Sequence, residues 1–224
     1  MVELTGMNLN LLVALDALLQ EASVTRAGRR LTLDEFVALE HVQDALSDPR
    51  DPSGYSAHDV LSMGFLHTPK FTELLQNTSR LAAVNLADYD ALFVAGGQGP
   101  MFTFRTDESL RAAILTFYQS GRITAALCHG TCALLDVTMP NGELLIKGKF
   151  MTGFANSEED YADYIVGRKL MPFRIQDEAV QRGANFVAAP AFSPYAVRDG
   201  NLITGQQQNS ARAAAKLIIE ALGR

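Results

Sequence analysis

The sequence has no tryptophan and only two cysteines, Cys128 and Cys132, one helical turn apart. Such a pair cannot form the framework of a disulfide-stapled domain, so a reducing compartment, the cytoplasm, is the expected setting. No apolar run is long enough to span a bilayer, which argues against a membrane helix. The apolar stretch Leu9–Leu19 is interrupted by Asp16 and has no basic segment before it, unlike a secretory signal. Positive charge is also scarce. Against 25 Asp and Glu stand 19 Lys and Arg, a net charge of −6, and this balance disfavours a nucleic-acid surface. Of the four histidines, His41, His58 and His67 share no metal-site spacing with cysteines or carboxylates, so no metal is expected, and with neither a GxGxxG run nor a P-loop no cofactor is expected. Internal repeats and low-complexity tracts are missing. What remains is a chain of 224 residues, 48% hydrophobic and 20% charged, long enough for a full α/β core.

The most informative stretch is Ile123–Leu135, ITAALCHGTCALL. Ile123–Leu127 reads as a buried parallel strand that stops at Cys128-His129-Gly130, and Thr131 reads as the cap of a helix starting at Cys132. A strand that turns sharply into a helix lifts the turn residue above the sheet, as in a nucleophile elbow. Here that residue is a cysteine, and the helix's positive end favours its thiolate. Cys128 is therefore the candidate nucleophile, and Cys132, one turn on, a core residue. A second strand, Ala91–Ala95, runs into Gly96-Gly97-Gln98-Gly99-Pro100, glycines that permit a tight turn and close backbone approach to a ligand. Binding sites of open parallel sheets lie beyond the carboxyl ends of the strands, where both Gly96-Gly97 and Cys128 fall.

Around these, Asp107–Ser120 reads as a helix ended by Gly121, Leu144–Ile146 and Lys149–Thr152 as short strands after the turn Asn141-Gly142, and Ser157 as the cap of an acidic helix start. Asp177–Gly183 reads as helix, Asn185–Ala188 and Leu202–Thr204 as strands, and Ser210–Leu222 as a final helix. A helix opens at Thr68-Pro69. The alternation predicts a parallel, doubly wound α/β sheet in a single domain, residues 1–224. Residues 1–47 form an atypical segment within it. Asn8–Glu21 has helical spacing, yet Leu11–Leu15 also fits the first strand that such a sheet needs, and both readings stay open. About 30 N-terminal residues resemble the start of a LysR-type helix-turn-helix. The acidic Thr32–Val37 stands where a recognition helix would follow, so DNA binding is not expected.

The motifs DYDALFVAGGQGPMF, TAALCHG, LLIKGKFMTGFANSEED, LMPFRIQDE and LITGQQQNS, in this order, resemble the DJ-1/PfpI superfamily, and in particular its Hsp31-like, glyoxalase III branch. The resemblance covers about residues 48–224. It implies a flavodoxin-like sandwich and a homodimer. It also implies a cysteine nucleophile, Cys128, with His129 beside it and an acid after the TGF strand to orient that histidine. Glu159 fits this position, with Glu158 the alternative. Leu33-Asp34-Glu35-Phe36 resembles the segment that carries a glutamate close to the thiol, which gives Glu35 that role. The oxyanion hole falls to Gly96-Gly97, chiefly the Gly97 amide, with that of His129.

The activity so implied is a glutathione-independent glyoxalase. The substrate is a small reactive 2-oxoaldehyde such as methylglyoxal, attacked by Cys128 to give a hemithioacetal and released as a 2-hydroxy acid, D-lactate. Protein deglycation, amide hydrolysis and peptidase action use the same parts, and a non-enzymatic redox-sensing chaperone is the other reading.

Overall fold

The structure, a computed structural model, describes Pro69 and residues 81–223. The readings made for residues 1–68, including Glu35, the choice between helix and strand at 8–21 and the LysR-like start, lie outside the described residues. Of the helix expected from Thr68, only Pro69 is described, and it is helical.

A four-stranded sheet organises the described residues, in the order β1 (Ala91–Val94), β2 (Ile123–Leu127), β6 (Leu202–Gly205), β5 (Ala196–Asp199). β1 pairs with β2 and β2 with β6 in parallel, with Ala91 opposite Ile123 and Thr124 opposite Leu202. All five residues of β2 are buried. A strand flanked on both edges and covered on both faces has no use for alternation, which is why ITAAL is an unbroken small and apolar run. The parallel α/β class expected from the sequence is the one the chain adopts. One departure is β5, which was not anticipated and runs antiparallel to β6. A second small sheet joins β3 (Phe150–Met151) and β4 (Asn185–Phe186) in parallel. The Phe150 N–H donates to Asp199 at 2.9 Å and the Thr152 N–H to the Thr204 hydroxyl at 2.9 Å, tying this pair to the main sheet.

Between β1 and β2 lie a short helix, α1 (Pro100–Thr103), and α2 (Glu108–Gln119). Asp107 caps α2, its side chain accepting the Leu110 N–H at 2.9 Å, and Gly121 at φ 74° ends it. Leu110, Ala113, Ile114 and Phe117 repeat at helical spacing and form the buried stripe. Arg122 lies over the Phe117 ring, 4.0 Å from its centroid, and donates to the Leu86 and Tyr89 carbonyls just before β1.

After the turn that follows β2, the two strands expected at 144–152 shrink. Leu144 makes only an isolated antiparallel bridge with Thr138 across Asn141-Gly142, and the second strand is reduced to β3. Next come α3 (Asn156–Val166) and α4 (Ile175–Gln181). The cap of α3 is Ala155, not Ser157. Alanine has no side-chain acceptor, so only the reciprocal half of a capping box exists: Glu158 accepts the Ala155 N–H at 2.8 Å. The final helix, α5 (Ala211–Ala221), buries Ala214, Ala215 and Ile218 and packs on β2, β5 and β6. Its alanines allow close approach. A Cβ on Gly205 would stand 3.4 Å from Ala214 Cβ and 2.4 Å from Leu127 Cδ1. Among the described residues no helix is long and apolar enough to cross a membrane.

Candidate active site

β2 ends at Leu127, and the chain reverses at Cys128, whose φ is 58°. A non-glycine residue in this region is strained by about 1–3 kcal/mol and persists only where its surroundings hold it. Two neighbours do so. The Thr131 hydroxyl donates to the Cys128 carbonyl at 2.7 Å. Gly130 presses on the end of β1, where a Cβ would come within 2.2 Å of the Ala95 oxygen. Thr131 therefore bonds back to the elbow instead of capping a later helix. The helical turn begins at Cys128 itself, as a 3₁₀ segment running to Leu134. The elbow is present; the helical segment starts four residues earlier than expected.

The glycine loop after β1 abuts the cysteine. A Cβ on Gly96 would lie 2.6 Å from Cys128 Cβ, 2.8 Å from the Leu127 oxygen and 3.3 Å from the sulfur. Gly97 takes φ 116°, a conformation that L side chains rarely adopt. Both glycines thus sit where strand ends converge. Cys128 keeps 8% of its surface exposed, whereas Cys132 keeps none. Burial pushes the Cys132 thiol up to about 12, and its Sγ donates to the Pro100 carbonyl at 3.3 Å, so it is a core group and not a second nucleophile.

His129 follows in the chain, 5% exposed. Its Nδ1 lies 3.6 Å from Cys128 Sγ and its Nε2 lies 3.1 Å from Glu159 Oε1. The ring stacks on Phe154 with 4.0 Å between centroids. Gly153 makes this possible, since a Cβ there would fall 2.2 Å from the Thr131 hydroxyl. The Thr152-Gly153-Phe154 segment can therefore run tightly past the elbow and deliver the first turn of α3. Burial works against a charge on His129, yet hydrogen bonds and charge from Cys128 and Glu159 outweigh it and raise the imidazole from 6.5 to about 9. The site thus favours the protonated imidazole, set between the Cys128 sulfur and the Glu159 carboxyl group.

Of the two acids proposed to orient the histidine, Glu159 makes the contact. Glu158, fully buried, turns elsewhere: its Oε1 accepts from the Phe192 N–H and from Gln206 Nε2, both at 2.9 Å. The structure thus brings Cys128, His129, Glu159, Gly96 and Gly97 together, while Glu35 lies outside the described residues. The residues missed from the sequence are Phe154 and Gln206; Glu158 was named there only as the alternative acid for His129, not for the contacts it makes. A TGF segment directly before an acidic helix start was the available signal for Phe154; for Gln206 there was none. Among the described residues no group of three or more His, Cys, Asp and Glu side chains could hold a metal ion.

Fold and geometry define a class: parallel α/β proteins with a cysteine at a strand-end reversal and an imidazole and carboxylate in relay behind it. The DJ-1/PfpI family model matches residues 72–221, and the chain belongs to that family. It is 31% identical over 157 residues to the probable glutathione-independent glyoxalase hsp3103 of Schizosaccharomyces pombe, covering 68% of this chain and 60% of that protein. The chain therefore spans less than two thirds of that relative's length. Among solved structures, Rapid Encystment Protein 24 kDa of Francisella tularensis is similar at 32% identity and a TM-score of 0.69, over 77% of this chain and 75% of that one. Glyoxalase III of Candida albicans is similar at 27% identity and a TM-score of 0.58, over 75% of each chain.

Proposed function

We propose that the protein is a glutathione-independent glyoxalase that converts methylglyoxal or a similar 2-oxoaldehyde to the 2-hydroxy acid. The observation that carries this reading is the Cys128–His129–Glu159 relay at the strand-end elbow. The names of the similar glyoxalases support the choice of substrate class.

The Cys128 thiolate adds to the aldehyde carbon, and the oxyanion takes a proton to give a hemithioacetal. His129, whose protonated form the site favours, suits the donor's part. A base then removes the hydrogen of that carbon as a proton, leaving an enediol. Two groups can accept it: the His129 imidazole, once its own proton has gone to the oxyanion, and the carboxylate of Glu35, the candidate from the sequence. Reprotonation at the neighbouring carbon gives a thioester of the 2-hydroxy acid. Water adds to it, the carbon–sulfur bond breaks, and the thiolate is regenerated. The amides of Gly97 and His129 steady the oxyanions. In this reading the enzyme works in the cytoplasm as a homodimer, which light scattering checks directly.

The test is D-lactate formation from methylglyoxal without glutathione, followed by chiral chromatography. Wild-type protein should turn over, and Cys128→Ser should not. Turnover retained by Cys128→Ser, or none by the wild type, overturns the proposal.

A further inference from the structure

The mechanism leaves unused a buried acid, Glu158, next in sequence to the one that holds His129. Three N–H groups donate to its two oxygens, an arrangement that a carboxylate accepts. Satisfying the start of α3 needs only one of them, the Ala155 N–H on Oε2. The other oxygen collects donors from 34 and 48 residues away, Phe192 and Gln206. Gln206 in turn grips both sides of Ala189, accepting its N–H at 2.8 Å and donating to its carbonyl at 3.2 Å.

Phe192 is, with Cys128, one of the two non-glycine residues at positive φ among the described residues, at 60°. Its strained backbone is held from both ends. The N–H goes to Glu158, and the carbonyl accepts from Asn209 Nδ2 at 2.9 Å. The Phe192 ring meets Tyr161 of α3 edge-on, with 5.3 Å between centroids. Adjacent helical side chains point about 100° apart. Glu158 therefore faces the 189–193 turn and the end of β6, while Glu159 faces the elbow. Whatever fixes the first side fixes the rotation of that turn of helix, and with it the second.

We propose that Glu158 is a positioning residue: it clamps the Phe192 turn and Gln206 against the first turn of α3 and so sets the reach of Glu159 to His129. This rests on the site of the proposed function but not on its substrate, and its test uses none.

The experiment is an NMR titration of His129 in full-length protein, with the pH dependence of Cys128 alkylation by iodoacetamide beside it. Glu158→Gln puts an amide N–H₂ where a donor already points. It should lower the His129 midpoint by roughly one unit, the tenfold effect expected when a hydrogen bond to a charged group is weakened. The alkylation profile should move with it. Asn209→Ala, which frees only the Phe192 carbonyl, should lower the melting temperature and leave the His129 midpoint in place. If Glu158→Gln does not fold, Glu158→Asp should give a smaller shift in the same direction. A melting change without a titration change in the Glu158 variant, or an equal titration change in Asn209→Ala, overturns the proposal. A shifted titration in a protein that never consumes methylglyoxal sinks the glyoxalase reading and leaves this one standing.

Discussion

The Phe154 ring lies almost flat against the His129 imidazole, 4.0 Å between centroids and 23° between planes. The contact fixes the plane in which Nδ1 meets the sulfur and Nε2 meets Glu159. Stacked aromatic pairs contribute about 0.5–1.5 kcal/mol beyond the area they bury. Phe154→Leu keeps an apolar side chain and removes the stack. It should reduce kcat up to roughly tenfold with KM little changed, since the loss falls on orientation and not on substrate contact. Steady-state kinetics with methylglyoxal check this; a loss confined to KM would speak against it.

Cys128 and Glu159 together make His129 a pH-sensitive element of stability. The folded-state value, about 9, lies above the ordinary 6.5. The stabilisation is therefore complete below about 6.5 and is lost as pH rises through about 9. Wild-type melting temperature should fall across that window. In Glu159→Gln the carboxylate's share of the shift is gone, so the slope should flatten. The same substitution should cost roughly 10²- to 10⁴-fold in turnover, the range that acid–base groups contribute. Differential scanning calorimetry from pH 6 to 10 reads the first effect; parallel slopes for the two proteins would contradict it.

Gly96 is a steric requirement of the elbow. Its added Cβ would meet backbone and Cβ atoms that cannot swing aside, at 2.6 and 2.8 Å. Gly96→Ala should destabilise by about 1–3 kcal/mol, as overpacking does, and displace Cys128 from its place at the end of β2. Urea unfolding gives the first quantity, and the rate of Cys128 alkylation reports the second. Gly121, with nothing within 4 Å of its Cβ position but φ at 74°, serves as the comparison. Gly121→Ala should also lose stability, through backbone strain alone, and leave the alkylation rate unchanged.

The parts legible in the sequence are those that local chemistry dictates. An apolar run that stops at Cys-His-Gly, a strand entering paired glycines, and a helix between Asp107 and Gly121 each carry their own signal, and each lies within a residue or so of where it was expected. The strand β5 carried little signal because Arg198 and Asp199 make half of it charged, and beside Gly200 those residues read as a turn. The identity of the acid at His129 turned on a helix register. Starting α3 at Asn156 directs Glu159 at the elbow, and proximity to Thr152-Gly153-Phe154 could only narrow the choice to neighbours. The Glu158 contacts could not be read at all. They join residues 34 and 48 positions apart, and nothing local in a run of glutamines marks one of them as a clamp.

The pairing of β2 with β6 has a consequence for biosynthesis. A ribosome releases Cys128 more than seventy residues before Leu202–Gly205, the neighbours that close over one edge of its strand. Until that late segment emerges, the thiol has its adjacent imidazole but no finished bed beneath it. Assembly of the reactive centre therefore waits for β6, and closing a loop of that length adds an entropic cost to it.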